Sequence, residues 1–333
     1  MKHINVALFV PHLGCPHTCS FCNQRTISGV ASPLTEADID NAVQIAVQGE
    51  YDRKNSEIAF FGGSFTAVDR DYMTTLLKTA YKYVQDGFFK GIRCSTRPDA
   101  IDEDILCILK KYGVTAIELG AQSMSDKVLE MNERGHTAAD VEKASRLIKE
   151  YGFELGLQMM TGLYGDSDEA SVKTAEKIIN LKPETVRIYP TVVLKNTALG
   201  NLYTQGIYKP QSLDEAVNLC SKLIQMFNKA GINVIRVGLH SGGGVEEGYL
   251  AGAYHPAFRE MCESKIYMDM FKNYISEKGI NGKAVIYVAP SEISKAVGQK
   301  KRNIEALKTI GVNALVKGSP DLKKYEFYIE KIN

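Results

Sequence analysis

No run of about 18 apolar residues occurs anywhere in the sequence, so a membrane-spanning helix is not expected. A secretion signal is missing too: the apolar stretch 6–10 is too short for a signal core, and no small-residue cleavage site follows it. Charge of neither sign is in excess. The 40 Lys and Arg face 39 Asp and Glu, and that net charge of +1 makes no case, over the whole chain, for nucleic acid or a membrane surface. Tryptophan, low-complexity segments and repeats at solenoid spacing are absent as well. What is present is a globular composition, 44% hydrophobic and 24% charged, over 333 residues, which suits one large domain with a smaller appendage. The expected compartment is the reducing cytoplasm, where the seven cysteines stay thiols.

Apolar β-type runs alternate with helical patterns as far as about residue 240. The strand candidates are 4–10, 57–61, 92–96, 115–121, 154–160, 185–189 and 233–237. Between them, apolar residues recur at three- and four-residue spacing, as in Ile39, Val43, Ala46 and Val47, or Val217, Leu219, Leu223, Ile224 and Phe227. Thr35 with Asp38 and Ser212 with Glu215 have capping-box spacing. Successive βα units joined by short links imply a parallel sheet covered by helices, and strands rich in Ile, Val, Leu and Phe suggest burial on both faces. Periodicity leaves a full barrel, a partial barrel and a doubly wound sheet open. All three put chemistry at the C-terminal ends of the strands.

The unusual residues do follow strands. The segment CPHTCSFC follows the first, Gly62-Gly63-Ser64-Phe65 the second, Thr96-Arg97-Pro98-Asp99 the third, Gln122-Ser123 the fourth and Met160-Thr161-Gly162 the fifth. Cys15, Cys19 and Cys22 share one tight loop at CxxxCxxC spacing. Three such thiolates can hold three irons of a cubane cluster and leave the fourth open to substrate or cofactor. A structural zinc completed by His12 or His17 is the alternative, although zinc favours paired CxxC knuckles and no second pair exists. Cys94, Cys107, Cys220 and Cys262 stand singly in apolar contexts and are expected to be small buried hydrophobes. His136, His240 and His255 receive no role. Tyr189 and Lys195, after the sixth strand, could face a substrate.

The cysteine loop, with Phe21 just before its last cysteine, resembles that of the radical S-adenosylmethionine (SAM) superfamily. The resemblance implies a [4Fe-4S] cluster held by Cys15, Cys19 and Cys22, and S-adenosylmethionine bound to the open iron and split reductively to a 5′-deoxyadenosyl radical. It implies cofactor contacts from Phe21, from Gly62, Gly63 and Ser64, and from Gln122 and Arg134, which stand twelve positions apart. Relatives often carry a glutamate where this chain has Ser95. The implied fold is α/β, a partial (β/α)6 TIM-like barrel over residues 1–240, with connecting elements over 241–282. A flavodoxin or ferredoxin would supply the electron.

STRPD (95–99), GAQS with ERGHT, MMTGLYGDS (159–167), the segment 187–208 and GAYHPAFRE (252–260) resemble the Elongator protein 3 branch more than others. That branch modifies the wobble uridine of transfer RNA and carries a C-terminal acetyltransferase domain. The sequence ends at Asn333, so acetyl transfer by this chain is not expected. Residues 283–333 instead resemble a K-homology RNA-binding unit, in which a glycine-bearing loop between two helices clamps a nucleic-acid backbone. Here that loop is Gly298-Gln299-Lys300-Lys301, with Lys301 at the second glycine position and Arg302 next to it. The segment is basic, with ten Lys and Arg against five Asp and Glu, while the other 282 residues carry 30 against 34. The near-neutral total therefore averages two unlike parts, and RNA is the expected partner of the basic one. The alternatives are a radical SAM enzyme acting on a small metabolite, and a non-catalytic zinc-stapled RNA-binding protein.

Overall fold

A computed structural model describes residues 3–10, 15, 19–23, 32–239 and 244–332. Seven strands form one parallel sheet in the order β1-β2-β3-β4-β5-β6-β8. They are β1 (Asn5–Phe9), β2 (Glu57–Phe61), β3 (Gly91–Thr96), β4 (Val114–Gln122), β5 (Glu154–Thr161), β6 (Thr185–Pro190) and β8 (Asn233–Val237). Between β6 and β8 lies β7 (Val192–Leu194), which pairs antiparallel with β9 (Tyr249–Gly252) outside the main sheet. Chain order equals spatial order, so each crossover places its helix on the same side and the sheet curls into an α/β partial barrel built from the seven strands expected.

The helices begin where their side chains satisfy the free N–H groups of the first turn. Thr35 caps Glu36–Ala46 and Ser212 caps Leu213–Lys229, each in a complete capping box, and Asp102 caps Glu103–Lys111. Ile39, Val43, Leu223, Ile224 and Phe227 are buried against the outer face of the sheet, where Ile58, Phe60, Ile92, Ile117, Leu119, Leu155, Leu157, Val186 and Ile188 meet them. Cys94, Cys220 and Cys262 belong to this packing. Cys107 does not: Ile105, Leu106 and Leu109 take the inner face of its helix, which turns Cys107 to solvent.

Only the outer face is apolar throughout. The inner face carries Glu57, Arg93, Glu118 and Arg187 in a connected ion network, and this corrects the expectation of apolar strands on both faces. Arg93 reaches Glu57 at 2.8 Å, Glu154 at 2.9 Å and Glu118 at 3.4 Å, while Arg187 grips both oxygens of Glu118 at 2.6 and 2.9 Å. Charges this deeply buried are tolerated because each carboxylate meets a guanidinium from a neighbouring or facing strand.

The C-terminal unit is a three-stranded sheet in the order β11-β10-β12, with β10 (Gly282–Val288) parallel to β11 (Val312–Gly318) and antiparallel to β12 (Phe327–Ile332). Ile293–Val297 and Arg302–Thr309 connect β10 to β11, giving the β-α-α-β order read from the sequence. The long helix Phe258–Lys278 serves both units. Phe258, Cys262 and Ile266 sit in the barrel core, and Tyr267, Phe271 and Ile275 in the core of the C-terminal sheet.

Candidate active site

The described residues of the cysteine loop, Cys15 and 19–23, lie against the C-terminal ends of β2, β3 and β4. Asn132 fixes it from below: the Ser20 hydroxyl donates to Asn132 Oδ1 at 2.9 Å, and the Ser20 N–H donates to the Asn132 carbonyl at 3.1 Å. Asn132 in turn donates to the carbonyls of Val128 and Tyr164, both at 2.8 Å. Leu199 N–H closes the loop onto Ser20 O at 2.7 Å. Phe21, half-buried, packs beside Val193, Leu199 and Tyr208.

Gly62 and Ser64 form the next wall. Gly62 has φ of +89°, and a Cβ there would stand 2.6 Å from the Val10 carbonyl oxygen, so this position needs glycine twice over. Ser64 is buried, with its hydroxyl 2.8 Å from that of Thr96 and accepting from Arg97 N–H at 3.2 Å. Its backbone N–H meets the sulfur of Cys15. Burial and the nearby Cys19 push the Cys15 thiol above its ordinary pKa, while Arg97, Arg134 and that N–H pull the other way.

Gln122 stands at an irregularity of β4, where Gly120 pairs with Gln158 but Gln122 pairs with Met159. Its φ of +62° is left-handed, and such a bulge re-aims a side chain beside a site. Arg134 donates from Nη1 to Cys19 Sγ at 3.0 Å and from Nη2 to Gly120 O at 2.7 Å. Gln122 and Arg134 thus meet over Gly120, where a Cβ would lie 2.9 Å from Gln122 Nε2 and 3.4 Å from Arg134 Nη2.

Sequence reasoning passed over two members of this wall. Arg97 is 4% exposed and clamps Asp99 through Nε at 2.9 Å and Nη2 at 2.6 Å. His136 is buried with its Nε2 3.2 Å from the Ala121 carbonyl, and desolvation, then Arg134, lower its pKa to about 4. Arg97 stands in TRPD, which the strand-end rule had picked out after β3, and His136 in ERGHT, after the helix Asp126–Met131, one of the segments that carry the family resemblance. The other histidines stay apart from this wall or lie outside the described residues: His255 accepts from Ala257 N–H through Nδ1, and His12, His17 and His240 are not described.

Buried polar atoms without a partner concentrate here. Ser95 Oγ, Arg97 Nη1, Gln122 Oε1, Arg134 Nε and His136 Nδ1 are all buried and unsatisfied around the ends of β3 and β4. Native proteins rarely leave such atoms unpaired, so their clustering marks the place of a polar group that the chain alone does not supply. Among the described residues no three His, Cys, Asp or Glu side chains converge as a ready metal centre. The donor set of three thiols, two guanidiniums and an amide fits a thiolate-bound iron–sulfur cluster with a zwitterionic cofactor beside it.

Residues 9–178 match the Radical SAM superfamily, and residues 183–268 match a Radical_SAM C-terminal domain. The chain belongs to the radical SAM superfamily. Members of this superfamily use a [4Fe-4S] cluster and S-adenosylmethionine, and the chain is a radical SAM enzyme in that sense. Among curated proteins it is 30% identical to a tRNA uridine(34) acetyltransferase of Methanocaldococcus jannaschii over 185 residues, half of this chain and 34% of that protein. Human Elongator complex protein 3 is 27% identical over 190 residues, with 51% of this chain and 35% of that protein covered. The chain therefore spans about a third of the length of these relatives. Among solved structures, the archaeal Methanocaldococcus infernus Elp3 with an N-terminal deletion superposes with a TM-score of 0.62 at 21% identity, covering 84% of this chain and 64% of that one. That likeness establishes the partial-barrel fold.

The remaining candidates lie elsewhere. Gly298 is buried against Ser264 and Asn303, with φ of +77°, and Asn303 donates to the carbonyls of Ser264, Lys295 and Ala296. Lys300 and Lys301 are exposed beyond it, both left-handed at φ of +50° and +62°. Arg302, also exposed, reaches Asp214 of the barrel at 3.4 Å. Tyr189 faces the barrel interior beside Arg187, whereas Lys195 is tied at the rim to the Glu247 carbonyl at 3.3 Å. No helix among the described residues is long and apolar enough to cross a membrane.

Proposed function

We propose that the chain is a cytoplasmic radical SAM enzyme that modifies RNA, with a uridine of transfer RNA as its target. The observation that carries this reading is the match to tRNA uridine(34) acetyltransferases and to Elongator complex protein 3 over the barrel. The basic C-terminal unit supports it. Lys301 takes the left-handed backbone that glycine takes in a GxxG loop, so the loop keeps a turned shape while gaining a cation. Two adjacent left-handed lysines cost about 1–2 kcal/mol each, and strain of this kind tends to be retained where a loop meets a ligand.

In this reading Cys15, Cys19 and Cys22 hold the cluster, and the backbone after β2 meets the cofactor's amino group. The guanidinium of Arg134 matches its carboxylate, and Gln122 meets its ribose. When bound, the cluster and cofactor together supply a carbon radical able to take hydrogen from an unactivated position. The chain's own residues bind, orient and exclude water. Gly62 lets the main chain approach closely, and the Glu118 network keeps the floor of the barrel rigid. Lys300, Lys301 and Arg302 would neutralise phosphates of the RNA. A reduced flavodoxin or ferredoxin would deliver the electron.

Mass spectrometry of transfer-RNA nucleosides from cells with and without the gene tests the reading. Loss of one uridine-derived species in the deletion strain, restored by the intact gene and not by a C19A copy, is expected. Identical nucleosides in both strains would overturn RNA as the substrate and leave a small metabolite.

A further inference from the structure

Among the described residues, Arg236 is a guanidinium of the barrel lining without a countercharge. Arg236 lies on β8 in register with Arg187 of β6, just after an irregularity that turns it to the inner face. Arg93 and Arg187 share all three lining carboxylates, Glu57, Glu118 and Glu154. Arg236 shares none of them. Its Nε donates to the Gly238 carbonyl at 2.9 Å, and among the described residues neither Nη has a protein acceptor in hydrogen-bond reach. The charged and titratable groups that face it are Arg187, the phenol of Tyr189 and Arg259 from the helix Phe258–Lys278. Arg259 is itself held by Glu263 at 3.0 Å and by the Ile235 carbonyl at 3.1 Å. The segments outside the described residues, up to residue 332, contain no Asp or Glu that could serve as its counterion.

Such an arrangement is unfavourable in the free protein. A half-buried cation beside two other cations loses hydration without gaining attraction, and the pKa of Arg236 is correspondingly lowered, first by desolvation. Folding alone gives no reason to keep it, and sites that break a local rule in this way are commonly functional. A guanidinium with both Nη groups free presents a planar fork that fits two oxygens of one oxyanion. Tyr189, one layer nearer the cofactor end, adds a hydroxyl donor. Phe61, stacked on Arg187 at 5.1 Å, supplies an apolar wall.

We propose that Arg236, with Tyr189, forms an oxyanion-binding site on the β6–β8 side of the barrel for a phosphate or carboxylate group carried by the substrate or a co-substrate. The site lies three strands along from β4, roughly 14 Å around the sheet from Gln122. A group anchored there would leave the reactive end of the same molecule facing the cysteine loop. The site is separate from the residues expected to hold S-adenosylmethionine, and the inference does not require the substrate to be RNA.

The test uses the iron-reconstituted chain saturated with S-adenosylmethionine, so that Arg134 is occupied, and titrates inorganic phosphate and acetate separately by calorimetry. The parent should bind one of the two. Arg236→Gln should weaken that binding at least tenfold, Arg236→Lys should recover part of it, and Arg146→Ala, at an exposed arginine of the helix Ala138–Glu150, should leave it unchanged. The melting temperature of Arg236→Gln should be equal to or above that of the parent, because an uncompensated cation is removed. Preference for phosphate would identify a phosphoryl group, and preference for acetate a carboxylate. No binding by the parent, equal binding by Arg236→Gln, or a lowered melting temperature would each overturn the proposal, the last by showing that Arg236 holds the fold together. Transfer-RNA nucleoside profiles are not involved, so a failure here is distinct from a failure of the RNA reading.

Discussion

Arg134 lies with one Nη 3.0 Å from the sulfur of Cys19 and the other 2.7 Å from the Gly120 carbonyl, while its Nε is buried with no partner. Arg134, 115 positions along the chain from Cys19, thus links the cysteine loop after β1 to the end of β4. The same contact ties a proposed cluster ligand to the residue best shaped for a carboxylate.

Two substitutions should separate those roles. Cys19→Ala should remove most of the iron bound after anaerobic reconstitution and abolish 5′-deoxyadenosine formation, with the far-ultraviolet circular dichroism unchanged. Arg134→Lys should keep the iron but weaken S-adenosylmethionine at least tenfold, because an ammonium cannot reproduce the fork. Iron-to-protein ratios and equilibrium binding of the cofactor check the two outcomes independently.

His136 gives a prediction in pH. Its folded pKa of about 4 lies below the ordinary value of 6.5, so the unfolded chain binds its proton more readily. The contribution of neutral His136 is therefore fully present above pH 6.5 and falls away as the pH drops towards 4. By pH 5 the loss should be on the order of 2 kcal/mol. Urea midpoints of the parent and His136→Asn, compared at pH 7.5 and 5, measure it: the parent should lose more stability than the variant. Equal losses would show that His136 is not held neutral.

Much of this architecture is legible before any coordinates. All seven strands of the main sheet stand where alternation placed them, because buried parallel strands read as apolar runs between capped helices. The cysteine loop, Gly62 and Gln122 follow strands, as a barrel requires. The inner lining escaped because its signal is sparse. One Glu or Arg per strand, as in Glu57, Arg93, Glu118 and Arg187, looks like a flaw in an apolar run until neighbouring strands bring the charges together. Arg97 escaped for a different reason: its importance lies in an unpartnered Nη1, which no spacing records. Cys107 was misread because apolar neighbours in sequence say nothing about which helix face a residue takes.

Lys301 should behave as a residue kept against stability. It is exposed and left-handed, so Lys301→Gly should stabilise the chain by about 1 kcal/mol, read as a higher urea midpoint. The same change removes a cation proposed to neutralise an RNA phosphate. Transfer-RNA affinity should fall, and the slope of log affinity against log salt should shrink by about 0.9 for a duplex contact. Greater stability with unchanged affinity and slope would remove the loop from the RNA surface.

The Arg93 network gives the largest expected effect on stability. Arg93 is 7% exposed and is the partner shared by Glu57 and Glu118, which are 2% and 1% exposed. Replacing it with Met would keep the volume and leave Glu57 with no cation, since Arg187 reaches only Glu118. Breaking one side of a buried pair in this way costs about 3–5 kcal/mol. Arg93→Met should accordingly unfold at much lower urea than the parent. The double variant Arg93→Met with Glu57→Gln should recover part of the loss, because the stranded carboxylate is then gone. A double variant no more stable than the single would mean that Arg93 acts through packing and not through its charge.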